Sequence, residues 1–341
     1  MRKFVAFLAV FTLIIFSGAS CADDNFAAPE PPAPARVHTA PVPTFEFPAV
    51  VNATRNASAA DGLRFKLDAE ILHIWFPIIA NADEAVIVCG DQVWLIDCGD
   101  NGMGQRGVRM MQELGITKID KLFISHPHHD HIGGLNATND AIPVCELLLS
   151  FPEDSTESMI AAMEYINEND IPVTHYSNGE VFTMGTKGRI SLKFFWPEDE
   201  SLDMNNTSAQ TMLEYGSRRI LFTADMERPG QQVLLTQMDP EELRADILKY
   251  PHHGKSGLLE EYYQAVQPSF AIYTNVYVDW GGVEYLKWKQ VPYAFTCFND
   301  SYVHLYTDGS TWVVERVPMG QAVSLFPKSS DQNFLQPETG N

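Results

Sequence analysis

Four side chains that can bind a metal ion lie close together near the middle of the chain. Residues 125–134 read SHPHHDHIGG and place His126, His128, Asp130 and His131 at an H-x-H-x-D-H spacing. Imidazole nitrogen and carboxylate oxygen are ligands that zinc and other first-row divalent ions bind. Residues two apart on an extended loop point the same way, so His126 and His128 can share one ion. Asp130 and His131 can reach a second ion, and the spacing therefore predicts two metals.

A histidine-rich loop can also be a solvated or capping cluster, which is the commoner explanation for a single histidine. Four ligands at this spacing favour a metal site. The spacing, the apolar run 121–124 before it and Gly133-Gly134 after it resemble the metallo-β-lactamase superfamily. Within it, they are most similar to the extracytoplasmic hydrolase domain of the ComEC/Rec2 competence proteins and its secreted relatives. This resemblance implies an α/β fold, a four-layer αββα sandwich forming a single catalytic domain, with ligands at strand ends.

A further carboxylate follows a later apolar run. Residues 219–225 read RILFTAD and are similar to the family's Leu-Leu-x-Gly-Asp segment, with Ala224 in place of Gly. The resemblance implies that Asp225 bridges the two ions, because an anion between two cations offsets their repulsion. The alternative is an Asp that caps a following helix.

A second histidine pair lies further along the chain. Residues 245–257 read ADILKYPHHGKSG and resemble the family's Leu-Lys-Val-x-His-His-Gly-Ser segment, with Lys255 where Ser is usual. We predict that His253 binds the second metal. His252 would then face the substrate as a catalytic group that donates a proton or holds an oxyanion. The sequence leaves the opposite assignment of the two histidines open.

Three more residues are expected to support the centre. Asp97 closes an apolar run, and the resemblance implies that it accepts hydrogen bonds that brace the histidine loop, although a strand-end Asp can equally make a turn. Residues 205–208 read NNTS, where the ComEC-type subgroup has Asn-Asn-x-Ser in place of a metal-binding histidine. The resemblance gives Asn206 and Ser208 a supporting role and leaves the first metal with His126, His128 and a shared carboxylate. An amide is a poorer zinc ligand than imidazole.

The composition narrows the range of partners. The chain has 341 residues, a formal net charge of −21 and 45% hydrophobic residues, which suits a globular protein with a sizeable core. Long duplex DNA is disfavoured, because its binding depends on Lys and Arg that neutralise phosphates. A small-molecule or polymer phosphoester is compatible with a local cationic metal centre. Nothing in the sequence indicates a protein partner.

The two ends of the chain differ in composition from its middle. Residues 1–21 have the charged, apolar and small-residue order of a signal peptide, and Cys21 allows a lipoprotein type with a lipid anchor to the membrane. Residues 22–62 are a Pro/Ala-rich linker, residues 63–318 the predicted hydrolase domain and residues 319–341 a polar C-terminal tail. We therefore expect an exported protein that is extracellular or membrane-anchored outside the cytoplasm.

The resemblance and the ligand set together predict a metal-dependent hydrolase. Two divalent ions, zinc in the first place with Mn²⁺ or Fe as alternatives, would activate a bridging hydroxide that Asp130 orients toward a phosphoester or phosphodiester. An acyl hydrolase acting on a lactam, lactone or thioester is the first alternative. A non-catalytic surface binding protein with a degenerate metal site is the second. Aromatic residues between 276 and 291 could line a substrate mouth, but a loop packed by its own aromatics is favoured.

Overall fold

The computed structural model describes residues 49–51, 70–102 and 104–326. The predicted signal peptide lies outside the described residues, as do most of the predicted linker and the end of the predicted tail. The domain boundaries at 62/63 and 318/319 therefore stay predictions.

Strands occupy much of the described chain. In chain order they are Ala49–Val51 (β1), Leu72–Phe76 (β2), Glu84–Cys89 (β3), Gln92–Cys98 (β4), Lys121–Phe123 (β5), Leu147–Leu149 (β6), Val173–His175 (β7), Val181–Met184 (β8), Ile190–Phe195 (β9), Gln210–Tyr215 (β10), Arg218–Phe222 (β11), Ile247–Lys249 (β12), Phe270–Tyr273 (β13), Tyr293–Phe295 (β14), Ser301–Thr307 (β15) and Trp312–Pro318 (β16).

Helices connect many of these strands. In chain order they are Gly104–Glu113 (α1), His129–Ile132 (α2), Leu135–Ala141 (α3), Glu157–Glu168 (α4), Arg228–Gln237 (α5), Glu260–Val266 (α6) and Gly281–Lys289 (α7). Two short 3₁₀ helices cover Pro240–Leu243 and Pro251–Gly254. None of the helices among the described residues combines the length and the hydrophobicity that crossing a membrane requires.

The described strands form two sheets. Sheet I has the order β1-β16-β15-β2-β3-β4-β5-β6-β7, and sheet II has the order β14-β13-β12-β11-β10-β9-β8. Strands β3 and β4 pair antiparallel and form a hairpin around Gly90, a position where the alternating sequence and the turn residues 90–92 favour one. Each sheet changes to parallel pairing toward one edge, from β4 to β7 in sheet I and from β11 to β14 in sheet II.

Three hydrophobic cores separate four layers. The central core joins the inner faces of the two sheets, with Ile74 and Leu305 from sheet I meeting Leu213 and Ile272 from sheet II. A second core lies between sheet I and the helices α1, α3 and α4. A third lies between sheet II and α5, α6 and α7. The predicted four-layer αββα arrangement is confirmed.

This layout explains where the predicted site residues meet. The carboxyl ends of neighbouring parallel strands lie at the same edge of a sheet, and the loops that leave them are free to carry polar groups. Asp97 lies at the end of β4, and the histidine loop follows β5. Asp225 follows β11, and the pair His252 and His253 follows β12. Because the two sheets face each other, these four loops converge at one end of the sandwich.

Three regions add to the sequence interpretation. Strand β1 falls within the segment predicted as linker and pairs antiparallel with β16. Residues 319–326 contact the end of α1, where the Leu325 amide donates to the Leu114 carbonyl. The prediction of a loop between 276 and 291 is wrong for the helix α7, although Tyr277 and Trp280 before it do stack on each other, with ring centroids 4.7 Å apart.

Candidate metal centre

Asp97 holds the histidine loop through hydrogen bonds to Ser125 and a contact with His131. Its carboxylate accepts hydrogen bonds from the Ser125 amide at 2.8 Å and from the Ser125 hydroxyl at 2.8 Å. The same carboxylate lies 2.7 Å from Nδ1 of His131. A proton held at Nδ1 leaves Nε2 of His131 with a free lone pair, which is the arrangement a metal-binding histidine needs. These are the contacts expected for Asp97.

Four predicted ligands converge into one group: Asp130, His131, Asp225 and His253. One ligand atom from each lies within 4.8 Å of those of the others. His131 Nε2 is 3.3 Å from Asp225 Oδ1, and His253 Nε2 is 3.3 Å from Asp130 Oδ2. His131, Asp225 and His253 are buried, whereas Asp130 is 16% exposed and faces the opening. We call these residues the four-ligand group.

The four-ligand group has the chemistry of a cation site. His131 Nε2 and Asp225 Oδ1 are buried against each other, and neither atom has another hydrogen-bond partner among the described residues. Burial opposes charge on His131, but Asp225 and Asp97 outweigh it and raise the pKa of His131 well above its ordinary value. Burial likewise opposes charge on Asp225, yet His253 and His131 hold the pKa of Asp225 well below its ordinary value. A divalent ion fits this donor set and would take the place of the proton between His131 and Asp225.

His126 and His128 form a separate pair beside this group. Nε2 of His126 lies 3.0 Å from Nδ1 of His128. Burial lowers the pKa of His126 well below its ordinary value and also lowers the pKa of His128, which favours the neutral imidazoles that bind metals. The side chain of Asn205 lies beside His128, and its buried Oδ1 has no hydrogen-bond partner. This pair offers fewer strong ligands than the four-ligand group.

The structure places Asn206 and Ser208 differently from their expected position. Asn206 Oδ1 accepts hydrogen bonds from the Glu227 amide at 3.2 Å and the Gly230 amide at 2.9 Å, so it caps the start of α5. The Ser208 hydroxyl donates to the Asn205 carbonyl at 2.7 Å. Asn205, not Asn206, is therefore the amide that reaches the histidines. Both asparagines precede an apolar run, and the sequence alone gave no means of choosing between them.

His252 and His253 occupy different positions in the centre. His253 is fully buried within the four-ligand group, whereas the side chain of His252 is 15% exposed at its edge. His252 Nδ1 lies 3.0 Å from Glu227 Oε1, and Lys255 Nζ lies 2.6 Å from His252 Nε2. His252 thus has a carboxylate on one ring nitrogen and a cationic donor on the other, next to Asp225 at 3.6 Å.

Four residues in the loops that carry these groups have a strained backbone. Asp97, Ala224, His252 and His253 all have positive φ, at 58°, 44°, 47° and 55°. Side chains other than glycine rarely adopt this conformation, and surrounding contacts must maintain it. Ala224 stands where the resembled family has glycine, and its positive φ accounts for that preference.

Two buried charged residues that lie next to the four-ligand group, Asp83 and Lys249, were not identified from the sequence. Asp83 and Lys249 form a buried ion pair, and Asp83 Oδ1 lies 3.1 Å from His253 Nδ1. The Thr274 hydroxyl donates to the same oxygen at 2.6 Å. A signal was present, because Lys249 is a charge within the apolar strand β12 and Asp83 directly precedes the apolar strand β3. His175 lies exposed on β7, close to Glu153 and outside the centre.

Comparisons with known proteins find one family model and several solved structures similar to part of the chain. A family model described as anti-Pycsar protein Apyc1 matches residues 80–141, which include Asp83, Asp97 and the histidine loop. No curated protein matches the chain. Among solved structures, a metallo-β-lactamase from Cronobacter sakazakii is 13% identical, with a TM-score of 0.35, over 48% of this chain and 65% of that one.

Two further structures cover more of the chain. The metallo-β-lactamase fold protein YhfI from Bacillus subtilis is 13% identical over 66% of this chain and 96% of its own, with a TM-score of 0.43. The diiron β-hydroxylase CmlA from Streptomyces venezuelae is 14% identical over 64% of this chain, with a TM-score of 0.41. The match spans 47% of CmlA. The assignment of the fold rests on the chain's own layers and sheet order.

Proposed function

We propose that the protein is a metal-dependent hydrolase of small phosphodiesters. The observation that carries this proposal is the convergence of two imidazoles and two carboxylates in the four-ligand group, where His131 Nε2 and Asp225 Oδ1 are buried 3.3 Å from each other. Such a donor set at one largely buried point suits a bound cation. Metal ions bound there and at the His126–His128 pair would activate water and offset negative charge on the substrate.

The chain's own residues would act on the substrate from the exposed edge of the centre. Asp130 is the carboxylate of the four-ligand group that faces the opening, so it is placed to accept a proton from attacking water. His252, oriented by Glu227 at Nδ1, would reach the departing oxygen through Nε2 once the substrate displaces Lys255 from that nitrogen, and would there donate a proton or hold the oxyanion. Lys255 contacts His252 and would hold an anionic oxygen beside it.

Phosphoester chemistry is favoured over acyl chemistry by the charge at the opening. Lys255 is exposed and contacts a group at the edge of the centre. An otherwise acidic chain, with a net charge of −21, has little reason to attract anions elsewhere. A cationic side chain beside a cation site suits a phosphate, which keeps its negative charge throughout the reaction.

The first test is a substrate panel with two variants. The zinc-loaded protein is assayed on bis(p-nitrophenyl) phosphate, on a chromogenic β-lactam and on a chromogenic lactone. We expect turnover of the phosphodiester, and a loss of at least about 100-fold in kcat for Asp130→Ala and for His128→Ala, with the thermal unfolding midpoint of each variant showing that it is folded. Full activity in either variant contradicts the mechanism, and turnover of the lactam or lactone alone contradicts the substrate class.

The metal content separates an enzyme from a binding protein. Protein purified without chelator is analysed for bound metal at micromolar free zinc. The proposal requires at least about one equivalent of zinc per chain. A lower content, with no turnover of any substrate, favours a surface binding protein that has lost its metal.

We also propose export, from the order of charged, apolar and small residues in 1–21. Mass spectrometry of the mature protein tests it. Cleavage before Ala22 without lipid would indicate a secreted form, and a lipidated Cys21 at the new N-terminus would indicate a membrane anchor. An intact N-terminus after expression in a secreting host contradicts export.

A further inference from the structure

A buried ion pair lies directly beneath the four-ligand group. Only 6% of the Asp83 side chain and 3% of the Lys249 side chain are exposed, and the two groups contact each other. Lys249 Nζ also lies 3.2 Å from the Ala224 carbonyl, one residue before Asp225. Removing two charges from water is costly, and a buried pair of this kind is weak evidence for stability by itself. Its position points to another role.

Asp83 links loops that come from both sheets. Its backbone amide donates to the Asp130 carbonyl at 3.0 Å, on the side of sheet I. Its Oδ1 accepts from the Thr274 hydroxyl and lies 3.1 Å from His253 Nδ1, on the side of sheet II. Two members of the four-ligand group, Asp130 and His253, are therefore held to one residue. Their separation is fixed by Asp83 and not only by their own loops.

The contact between Asp83 and His253 repeats the contact between Asp97 and His131. In each case a buried carboxylate lies against Nδ1, at 3.1 Å for His253 and 2.7 Å for His131. A proton held on Nδ1 leaves Nε2 available, and both Nε2 atoms face the four-ligand group. Carboxylate partners of this kind orient metal-binding histidines and tune their affinity.

We propose that Asp83 is a positioning residue for the metal centre and that Lys249 is its fixed counter-cation. Asp83 selects the ring orientation and tautomer of His253, while Lys249 holds the second carboxylate oxygen and so prevents Asp83 from turning toward the ion. This inference rests on the proposed function, because it assumes that the four-ligand group binds a metal. It assigns no contact between Asp83 and the substrate.

The test measures zinc affinity and not turnover. The parent is the full chain carrying His126→Ala and His128→Ala, so that the four-ligand group is the remaining zinc site of the proposed centre. Zinc affinity is determined by competition with a chromogenic chelator. In this parent we expect Asp83→Asn to weaken zinc binding about 10- to 100-fold, because the amide can turn its NH₂ toward Nδ1 and favour the wrong tautomer.

Two further variants separate positioning from general destabilisation. Glu146→Gln breaks the Lys121–Glu146 pair of sheet I, which contacts no histidine, and should leave zinc affinity unchanged. Asp83→Asn with Lys249→Met removes both buried charges, which is less destabilising than removing one, and should bind zinc as weakly as Asp83→Asn alone. If Asp83→Asn alone does not fold, zinc affinity is measured in this double variant. At a pH high enough for the His253 ring to be neutral in the zinc-free proteins, its ¹⁵N chemical shifts should place the proton on Nδ1 in the parent and on Nε2 in the Asp83→Asn variants.

The outcomes distinguish this inference from the proposal it rests on. A parent that binds no zinc overturns the proposed function and the role of Asp83 together. A parent that binds zinc, with affinity and tautomer unchanged in Asp83→Asn, overturns the role of Asp83 alone. An equal loss of affinity in Glu146→Gln also overturns it, because the effect would then be one of stability.

Discussion

Glu84 is a buried acid that the proposed chemistry does not use. Both of its carboxyl oxygens are buried without a hydrogen-bond partner. They lie against Gly107 of α1, where the Cβ of any other residue would overlap them. Burial raises the pKa of Glu84 to about 8, so the side chain keeps its proton in the folded protein at neutral pH.

Glu84→Gln should therefore reduce the dependence of stability on pH. In the unfolded chain Glu84 titrates near its ordinary value of 4.5, and in the folded chain near 8. The folded state binds the extra proton between these values, so its contribution is full below pH 4.5 and is lost as pH rises through 8. The neutral amide removes this loss. We expect the variant to be more stable than the wild type at pH 9, by a few kcal/mol, and close to it at pH 4.5.

Calorimetric unfolding of both proteins at pH 4.5, 7 and 9 measures this difference directly. Comparing each variant with the wild type at the same pH cancels the titration of all other groups. Equal stability differences at the three pH values would show that Glu84 is ionised in the folded protein and would contradict its assignment as a neutral buried acid.

At the residue scale, the sequence predicted ligands that stand near one another but not their distant supports. His126, His128, Asp130 and His131 are recognisable because their spacing is local. Asp83 contacts His253 although the two residues are 170 positions apart in the sequence. The residues around one of them give no indication that the other lies beside it in the fold. The choice between Asn205 and Asn206 also depends on backbone direction, which the three-dimensional structure sets.

At the scale of elements, the residues that stabilise the start of helix α5 also position a side chain next to His252. Glu227 is the residue before the helix, and its side chain makes no capping hydrogen bond. Asn206 supplies the missing acceptor from another loop. Glu227 is thereby free to contact His252, so the cap and the proposed proton donor are linked through one residue.

We expect Asn206→Ala to cost about 1 to 2 kcal/mol of stability, because two amides at the start of α5 lose their acceptor. The helix end should loosen and carry Glu227 away from His252, which lowers kcat. Urea denaturation and turnover are measured together. Asn178→Ala is the matched control, since it also removes contacts with two backbone groups, both of Trp196, outside the metal centre.

The control should lose comparable stability and keep full turnover. If Asn206→Ala keeps both its stability and its kcat, the hydrogen bonds of Asn206 neither stabilise α5 nor position Glu227 against His252. If both variants lose turnover alike, the effect comes from global stability.

Strands and the hairpin were predictable from the sequence because alternation and turn residues are local signals. Helix α7 was not, since Gly281 and Gly282 at its start disfavour a helix. The helix is stabilised by tertiary packing, as Val283 and Leu286 are fully buried in the core against sheet II. This core forms only when distant strands assemble, so a short stretch of sequence around 281–289 does not indicate it.

At the scale of the whole molecule, the sandwich brings together loops that are far apart in sequence. The fold class could be predicted because the order of strands and motifs resembled a known superfamily. Spacing alone would have placed the first histidine cluster but not Asp225 or His253 beside it. Localisation depends on residues 1–21, which lie outside the described residues, and it stays a prediction.

The net charge of −21 makes a prediction about how substrates reach the centre. The field of the whole molecule repels an anionic phosphodiester over distances up to about the Debye length, which is roughly 10 Å at 0.1 M salt and longer at lower salt. Lys255 and bound metal ions attract it only at close range, where screening is weak. Added salt should therefore raise kcat/KM for bis(p-nitrophenyl) phosphate, by about two- to threefold between 0.02 and 0.3 M NaCl.

Two comparisons make this prediction specific to charge. A neutral phosphotriester should show no such rise, because no long-range repulsion is relieved. Lys255→Ala should lower kcat/KM for the diester at every salt concentration while keeping the upward trend, since the variant loses close-range attraction and keeps the acidic surface. A fall in kcat/KM with salt in the wild type would mean that the cationic opening, and not the net charge, governs the approach of the substrate, and long nucleic acids would then return as candidates.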